Sequence, residues 1–186
     1  MKAIDISILA ALWIAFYLYW LISAISAKKN VRSGRPLAAV RICFIIILIA
    51  SFYGVQGFRR FVTSGATRPI FKIAGLVISA LGLSLAVWAR LNLGRNWGMP
   101  MSLKESPELV TSGPYRFIRH PIYSGILIAL LGSALVGGIV WLILFLFFGT
   151  YFVLASRGEE RLMTWEFPDQ YPEYVKRTKA LVPFVY

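Results

Sequence analysis

The sequence is poor in acid, in cysteine and in histidine. Eight Asp plus Glu stand against twenty Lys plus Arg in 186 residues, a formal charge of +12. The one cysteine, Cys43, excludes an intramolecular disulfide and a cysteine-rich zinc site, and no metal site is expected. Charged residues make up only 15% of the chain, where a soluble domain carries about 25%. With 58% hydrophobic residues, that excludes an ordinary soluble domain, and the long apolar runs exclude disorder. The length excludes a large transporter built from two six-helix repeats. There is no Gly-x-Gly-x-x-Gly motif, no alternation of strand and helix patterns, and no repeat with a period of 20–50 residues. What remains is a small integral membrane protein, with residues 1–186 forming a single membrane domain.

A helix rises 1.5 Å per residue, so about 20 apolar residues cross a bilayer core. Five runs come near that length: 3–27, 38–58, 70–91, 122–136 and 139–155. The last two hold only 15 and 17 residues, and Gly137-Gly138 separates them, which reads as the tip of a tight helical hairpin. The expected fold is all-α, with about five transmembrane helices, or four if the hairpin re-enters rather than spans. Beyond Arg157 the pattern turns amphipathic, with Leu162, Trp165, Phe167, Tyr171 and Tyr174 set among charges. This predicts that helix continues out of the last run, turns at Phe167-Pro168-Asp169 and ends in a short surface helix.

The basic residues lie in short segments between apolar runs, a distribution suited to lipid headgroups and topology rather than nucleic acid. With five crossings, three clusters of five share one face: Lys28, Lys29, Arg32, Arg35 and Arg41; Arg90, Arg95, Lys104, Arg116 and Arg119; Arg157, Arg161, Lys176, Arg177 and Lys179. The other face holds Lys2, Arg59, Arg60, Arg68 and Lys72. The positive-inside rule then places the N-terminus outside and the C-terminal tail in the cytoplasm. The loop before the hairpin and the tail after it share that cytoplasmic face and are free to meet.

Polar residues concentrate in 93–125 and 157–179. Pro121 suits the first turn of a helix, where its missing N–H leaves nothing unpaired, and this puts His120 at the helix mouth with Arg116 and Arg119. Glu159 and Glu160 follow directly on the last apolar run, and Arg157 shares a helix face with Glu160 and Arg161 by spacing. Each feature alone has an ordinary structural reading: a helix-entry histidine, topology-setting bases, interfacial aromatic anchors, a solvated acid pair. Their convergence on one membrane edge points to a polar pocket able to take anions and cations. Composition and spacing name no reaction.

Three segments are taken together: Leu93-Gly94-Arg95-Asn96-Trp97, the run from Glu108 to Tyr115 reading ELVTSGPY, and Arg119-His120-Pro121-Ile122-Tyr123-Ser124-Gly125. Glu159-Glu160 follows 34 residues after Gly125, with Phe167, Tyr171 and Tyr174 behind it. This combination resembles the isoprenylcysteine carboxyl methyltransferase family, which is grouped with membrane phospholipid methyltransferases. The similarity covers roughly residues 90–180. The first three runs match only in being hydrophobic.

The resemblance implies S-adenosyl-L-methionine as methyl donor, S-adenosyl-L-homocysteine as product, and a helical rather than Rossmann fold. The cofactor would lie between the last hairpin, the cytoplasmic loop before it and the C-terminal tail. The family's cofactor contacts fall on Glu108, Leu109 and Val110, with Pro107 where several relatives have histidine, and on Tyr115, His120, Pro121, Ile122 and Tyr123. They fall also on the pair Glu159 and Glu160, without distinguishing which one binds. The family's substrate-binding arginine lies just upstream of the acidic pair; Arg157 is the nearest match, at a different spacing, and with His120 makes the catalytic candidates.

These residue types suit the chemistry. A glutamate holds an ammonium or ribose hydroxyls, and His, Arg or helix N-terminal N–H groups hold a carboxylate. Aromatic faces favour adenine and a sulfonium. A carboxylate or thiolate acceptor needs no general base, whereas an amine or hydroxyl needs one, for which His120 or a glutamate is the candidate. The first reading is methyl transfer to a hydrophobic or lipid-linked acceptor entering from the bilayer: an isoprenylcysteine carboxylate, a phospholipid amine or a small thiol. Two further readings are a nicotinamide-dependent membrane reductase of sterol type and a non-enzymatic lipid-binding protein. No nucleic acid partner is expected. Oligomeric state is silent; Ala74, Gly75, Gly82 and Ala86 permit close helix packing within one chain as readily as between chains.

Overall fold

A computed structural model describes residues 2–25, 30–32, 68–97, 103–104 and 107–181. The span expected over 38–58 lies outside them, as do Cys43, Lys28, Lys29, Arg35, Arg41, Arg59 and Arg60. The described residues form helices α1 (Lys2–Ile25), α2 (Pro69–Leu93), α3 (Pro121–Gly137), α4 (Ile139–Glu166) and α5 (Gln170–Arg177). Two short strands, β1 (Asn30–Arg32) and β2 (Leu103–Lys104), pair antiparallel and tie the chain after α1 to the chain after α2.

Among the described residues, three stretches are long and apolar enough to cross a membrane: Ile4–Ile25, Pro69–Asn96 and Ile139–Glu166. Helix α3, with 17 residues, is about 25 Å long and falls just short of a hydrocarbon core of about 30 Å. Large apolar side chains point outward all along these helices, among them Ile14 and Leu18 on α1, Ile73 and Leu81 on α2, and Ile143 and Leu154 on α4. Surface of this kind, continuous over whole helices, is matched by lipid and not by water. The protein is an integral membrane protein.

Helices α2 and α3 meet along a seam of small residues. A Cβ added at Gly82 would stand 2.5 Å from the Ala129 backbone nitrogen and 2.6 Å from the Gly125 carbonyl oxygen. One added at Gly132 would stand 2.6 Å from the Gly75 carbonyl oxygen. Backbone therefore lies on backbone, which is how small residues drive helix association in lipid, where no hydrophobic force separates helix from solvent. The close packing allowed by Gly75, Gly82 and Ala86 is used within this chain. Ser79 Oγ donates to the Ala129 carbonyl at 3.1 Å, and Trp13 Nε1 donates to Ser133 Oγ at 3.0 Å, bringing α1 onto the same seam.

Helix α1 runs parallel to α2. Asp5 and Lys72 pair at 3.1 Å at one end, and at the other Arg90 Nη2 donates to the Ser23 carbonyl at 2.5 Å. Arg90 also donates to the Gly94 carbonyl at 2.6 Å and lies over the Trp97 ring at 4.7 Å. A buried guanidinium at two helix C-termini meets the negative ends of both dipoles. At the hairpin, α3 stops at Gly137 and α4 starts at Ile139, with Gly138 between them at φ 82°, where a side chain is strained. Helix α4 has 28 residues against 17 in α3, so its last turns project beyond the start of α3. There the chain bends at Phe167–Asp169 and α5 returns, burying Tyr171 and Tyr174.

Candidate functional site

The mouth of α3 is built by three segments. Pro114 opens a single 3-10 turn, Gly113–Arg116, that buries Tyr115. Residue Ile118 then forms a parallel bridge with Lys179, so the tail lies alongside the chain entering α3. Arg119 N donates to the Lys179 carbonyl at 2.8 Å and His120 N to the Ala180 carbonyl at 3.0 Å. The Ser124 hydroxyl bonds to the Leu181 carbonyl. Tyr174 Oη donates to the Tyr115 carbonyl at 2.6 Å, and Thr178 Oγ1 to the Tyr174 carbonyl at 2.6 Å. Tail and loop thus fix the backbone on both sides of His120, which occupies the N-cap position, and Pro121 begins the helix.

Helix α4 brings the acids. Tyr123 Oη donates to Glu159 Oε1 at 2.5 Å. Arg119 Nε donates to Glu160 Oε1 at 2.8 Å, and its Nη1 to the Thr178 carbonyl at 2.6 Å. The His120 ring stands between the two acids, Nδ1 at 3.3 Å from Glu159 and Nε2 at 3.2 Å from Glu160. Both ring nitrogens donate at once only in the imidazolium. Burial pulls the His120 pKa down, but its hydrogen bonds to Glu159 and Glu160 and their charges outweigh burial and leave it above the ordinary histidine value. Burial likewise pushes Tyr115 well up, with Tyr174 and Glu159 adding to the shift, so it stays a neutral phenol. Tyr171 and Tyr174 are raised for the same first reason. The rings stack in a column: His120 on Tyr123 at 5.4 Å, Tyr123 on Phe152 at 4.3 Å.

The structure brings together Tyr115, His120, Pro121, Ile122, Tyr123, Glu159 and Glu160. It divides the acid pair: Glu160 is neutralised by a guanidinium, while Glu159 meets a neutral phenol and a shared ring. Arg157 is exposed and takes no part in the cluster's hydrogen bonds, because the turn that points Glu159 and Glu160 inward points Arg157 outward. Glu108 is exposed and accepts from Asn96 Nδ2 at 3.3 Å; Leu109 and Val110 are half-buried, Val110 against the core. Sequence reasoning put Arg119 at the mouth but gave it no partner, and gave Phe152, Ser124 and residues 178–181 no part in the site. The position of Arg119 beside His120 was a signal for the first. The tail pairs through backbone atoms, which leave no mark in the side-chain pattern. Among the described residues no three or more His, Cys, Asp or Glu side chains gather as a metal ion would need.

The sequence model of the phospholipid methyltransferase family matches residues 70–170, more than half of the chain, and the chain belongs to that family. It is 36% identical over 111 residues to the cobalt-zinc-cadmium resistance protein CzcN of Cupriavidus metallidurans, covering 58% of this chain and 49% of that protein. It is 33% identical over 123 residues to protein-S-isoprenylcysteine O-methyltransferase B of Arabidopsis thaliana, covering 60% of this chain and 58% of that one. The chain thus spans about half the length of the curated relatives it matches. A solved eukaryotic intramembrane Ras methyltransferase, isoprenylcysteine carboxyl methyltransferase, shares the fold at a TM-score of 0.56 and 23% identity, over 83% of this chain and 55% of that one.

Proposed function

We propose that this member of the phospholipid methyltransferase family transfers a methyl group from S-adenosylmethionine to a hydrophobic or lipid-linked acceptor at the cytoplasmic membrane face. Isoprenylcysteine-type carboxyl methylation is the leading assignment. The observation that carries the reading is the glutamate pair held at a helix mouth by His120, Arg119 and Tyr123. The donor set fits the ligand. S-adenosylmethionine has an ammonium, ribose hydroxyls and a sulfonium, and Glu159 is the acid with no guanidinium partner, sharing only the His120 ring; its carboxylate would take the ammonium or the ribose. Glu160, already tied to Arg119, would be the fixed member. The rings of Tyr115 and Tyr123 would wall the adenine and sulfonium. When bound, the donor supplies an activated methyl; the residues around it bind and orient, which carries much of an in-line displacement.

The state of His120 bears on the acceptor. An imidazolium between two carboxylates is not a base. An acceptor already anionic needs none, so the arrangement supports a carboxylate or thiolate over an amine or hydroxyl. The bases at this end of the bundle, Arg95, Arg116, Arg119, Arg157, Arg161, Lys176, Arg177 and Lys179, support a cytoplasmic site.

The test is transfer of labelled methyl by the reconstituted full chain to a prenylcysteine, a lipid amine and a small thiol offered in parallel. The expected product is a base-labile methyl ester on the prenylcysteine. Label in the amine or thiol alone would reassign the acceptor. No label in any of them, from protein that binds neither donor nor product, would remove the methyl-transfer reading.

A further inference from the structure

Helix α4 carries a second polar feature on its exposed side, outside the hydrogen-bonded cluster. Ile143, Phe147, Thr150, Leu154, Arg157, Arg161 and Trp165 follow one another at steps of three and four, so they form one stripe, and every one of them is exposed. Up to Leu154, 61% exposed, the stripe is apolar apart from Thr150, whose hydroxyl donates to the Leu146 carbonyl, and it ends on Trp165, 71% exposed. Arg157 and Arg161 lie between. At 1.5 Å per residue they stand about 4.5 and 10.5 Å beyond Leu154 along the axis, which is headgroup depth when the apolar stripe sits in hydrocarbon.

The two guanidiniums are one turn apart, and like charges at that spacing repel. Neither makes an ion pair among the described residues, because Glu159 and Glu160 on the same two turns face inward to His120 and Arg119. An anion between the arginines removes the repulsion, and the apolar stripe below gives its acyl chains a surface. We infer that Arg157 and Arg161 form a headgroup site for an anionic phospholipid of the bilayer, seated on the outer face of α4. The phosphate bridges the two guanidiniums, whose planar forks suit phosphate oxygens. Trp165 lies beyond as an interfacial anchor. One helix thus reads a lipid phosphate along its exposed stripe and holds the acid pair on the half-buried side that adjoins it.

The experiment reconstitutes the full chain in phosphatidylcholine vesicles with spin-labelled phosphatidylglycerol or spin-labelled phosphatidylcholine, and reads the motionally restricted fraction of each without any methyl donor. The unaltered chain is expected to prefer phosphatidylglycerol. The pair Arg157→Gln with Arg161→Gln is expected to lower that preference about tenfold. Arg95→Gln with Arg177→Gln, the same charge change at exposed positions off this helix, is expected to leave it within about twofold. An unchanged preference in the first pair overturns the proposal. An equal loss in the second pair overturns it as well, since net charge and not this site would then select the lipid.

Discussion

The seam between α2 and α3 is buried and the mouth between α3 and α4 is half-buried, and they are held in different ways. At the seam, backbone meets backbone through Gly75, Gly82, Gly125 and Gly132, and a single methyl has nowhere to go. At the mouth, five side chains are held by hydrogen bonds and charge, each contact exchangeable for one of similar strength. The seam fixes where α3 begins. The mouth uses that fixed point to hold groups that a ligand can take over. Rigidity at the seam comes from residues with no chemistry, whereas the mouth combines a structural tie, Arg119 to Glu160, with groups that a ligand can engage.

Substitutions sharpen the contrast. Gly82→Leu puts a side chain into the Ala129 backbone and should destabilise the protein by about 3 kcal/mol or more, read by thermal unfolding in detergent. A stable Gly82→Leu protein would mean that the seam does not set the fold. Glu160→Gln leaves Arg119 and His120 short of a carboxylate and should lower stability by about 1.5–3 kcal/mol along with donor affinity. Glu159→Gln keeps an acceptor for Tyr123 Oη but withdraws the carboxylate facing His120 Nδ1, so it should lower the melting temperature less than Glu160→Gln while weakening binding of S-adenosylhomocysteine about 10- to 100-fold. Equal losses of stability in both variants would erase the division of labour between the acids.

The smallest effect is the proton on His120. Its folded pKa is raised, so the folded chain holds the proton more tightly than the unfolded chain. The stability this contributes is complete below the unfolded value of about 6.5 and is lost as pH rises through the raised folded value. His120 is the only histidine, so an NMR titration of its ring reads one unambiguous signal. A midpoint above the ordinary value is expected, moving down in Glu160→Gln. A midpoint at or below the ordinary value would mean that Glu159 and Glu160 do not hold the His120 proton.

Much of this was legible in the sequence. Pro121 marked the start of α3, Gly137-Gly138 its end, and Phe167-Pro168-Asp169 the turn before α5, because proline and glycine punctuate helices for local reasons. The site residues 115, 120–123, 159 and 160 were legible as a pattern but not as a geometry. Arg157 and Glu160 share a helix face by spacing, yet Arg119, 41 residues away from Glu160, takes the acid instead. The return of residues 178–181 beside 118–120 rests on backbone bonds that any side chains allow. The seam was half legible: Gly75 and Gly82 announced close packing, and only the fold names Gly132 and Gly125 as their partners.

The central claim is that the acid pair at the mouth of α3 holds a methyl donor, with Glu159 as the contact. The most direct test is calorimetry of S-adenosylhomocysteine and NADPH binding to the detergent-purified full chain and to its Glu159→Gln and Glu160→Gln variants. The account predicts micromolar binding of S-adenosylhomocysteine alone, and a loss of binding in Glu159→Gln that comes with a smaller loss of stability than in Glu160→Gln. Binding of neither ligand by folded protein, or binding that both variants leave undiminished, would contradict it.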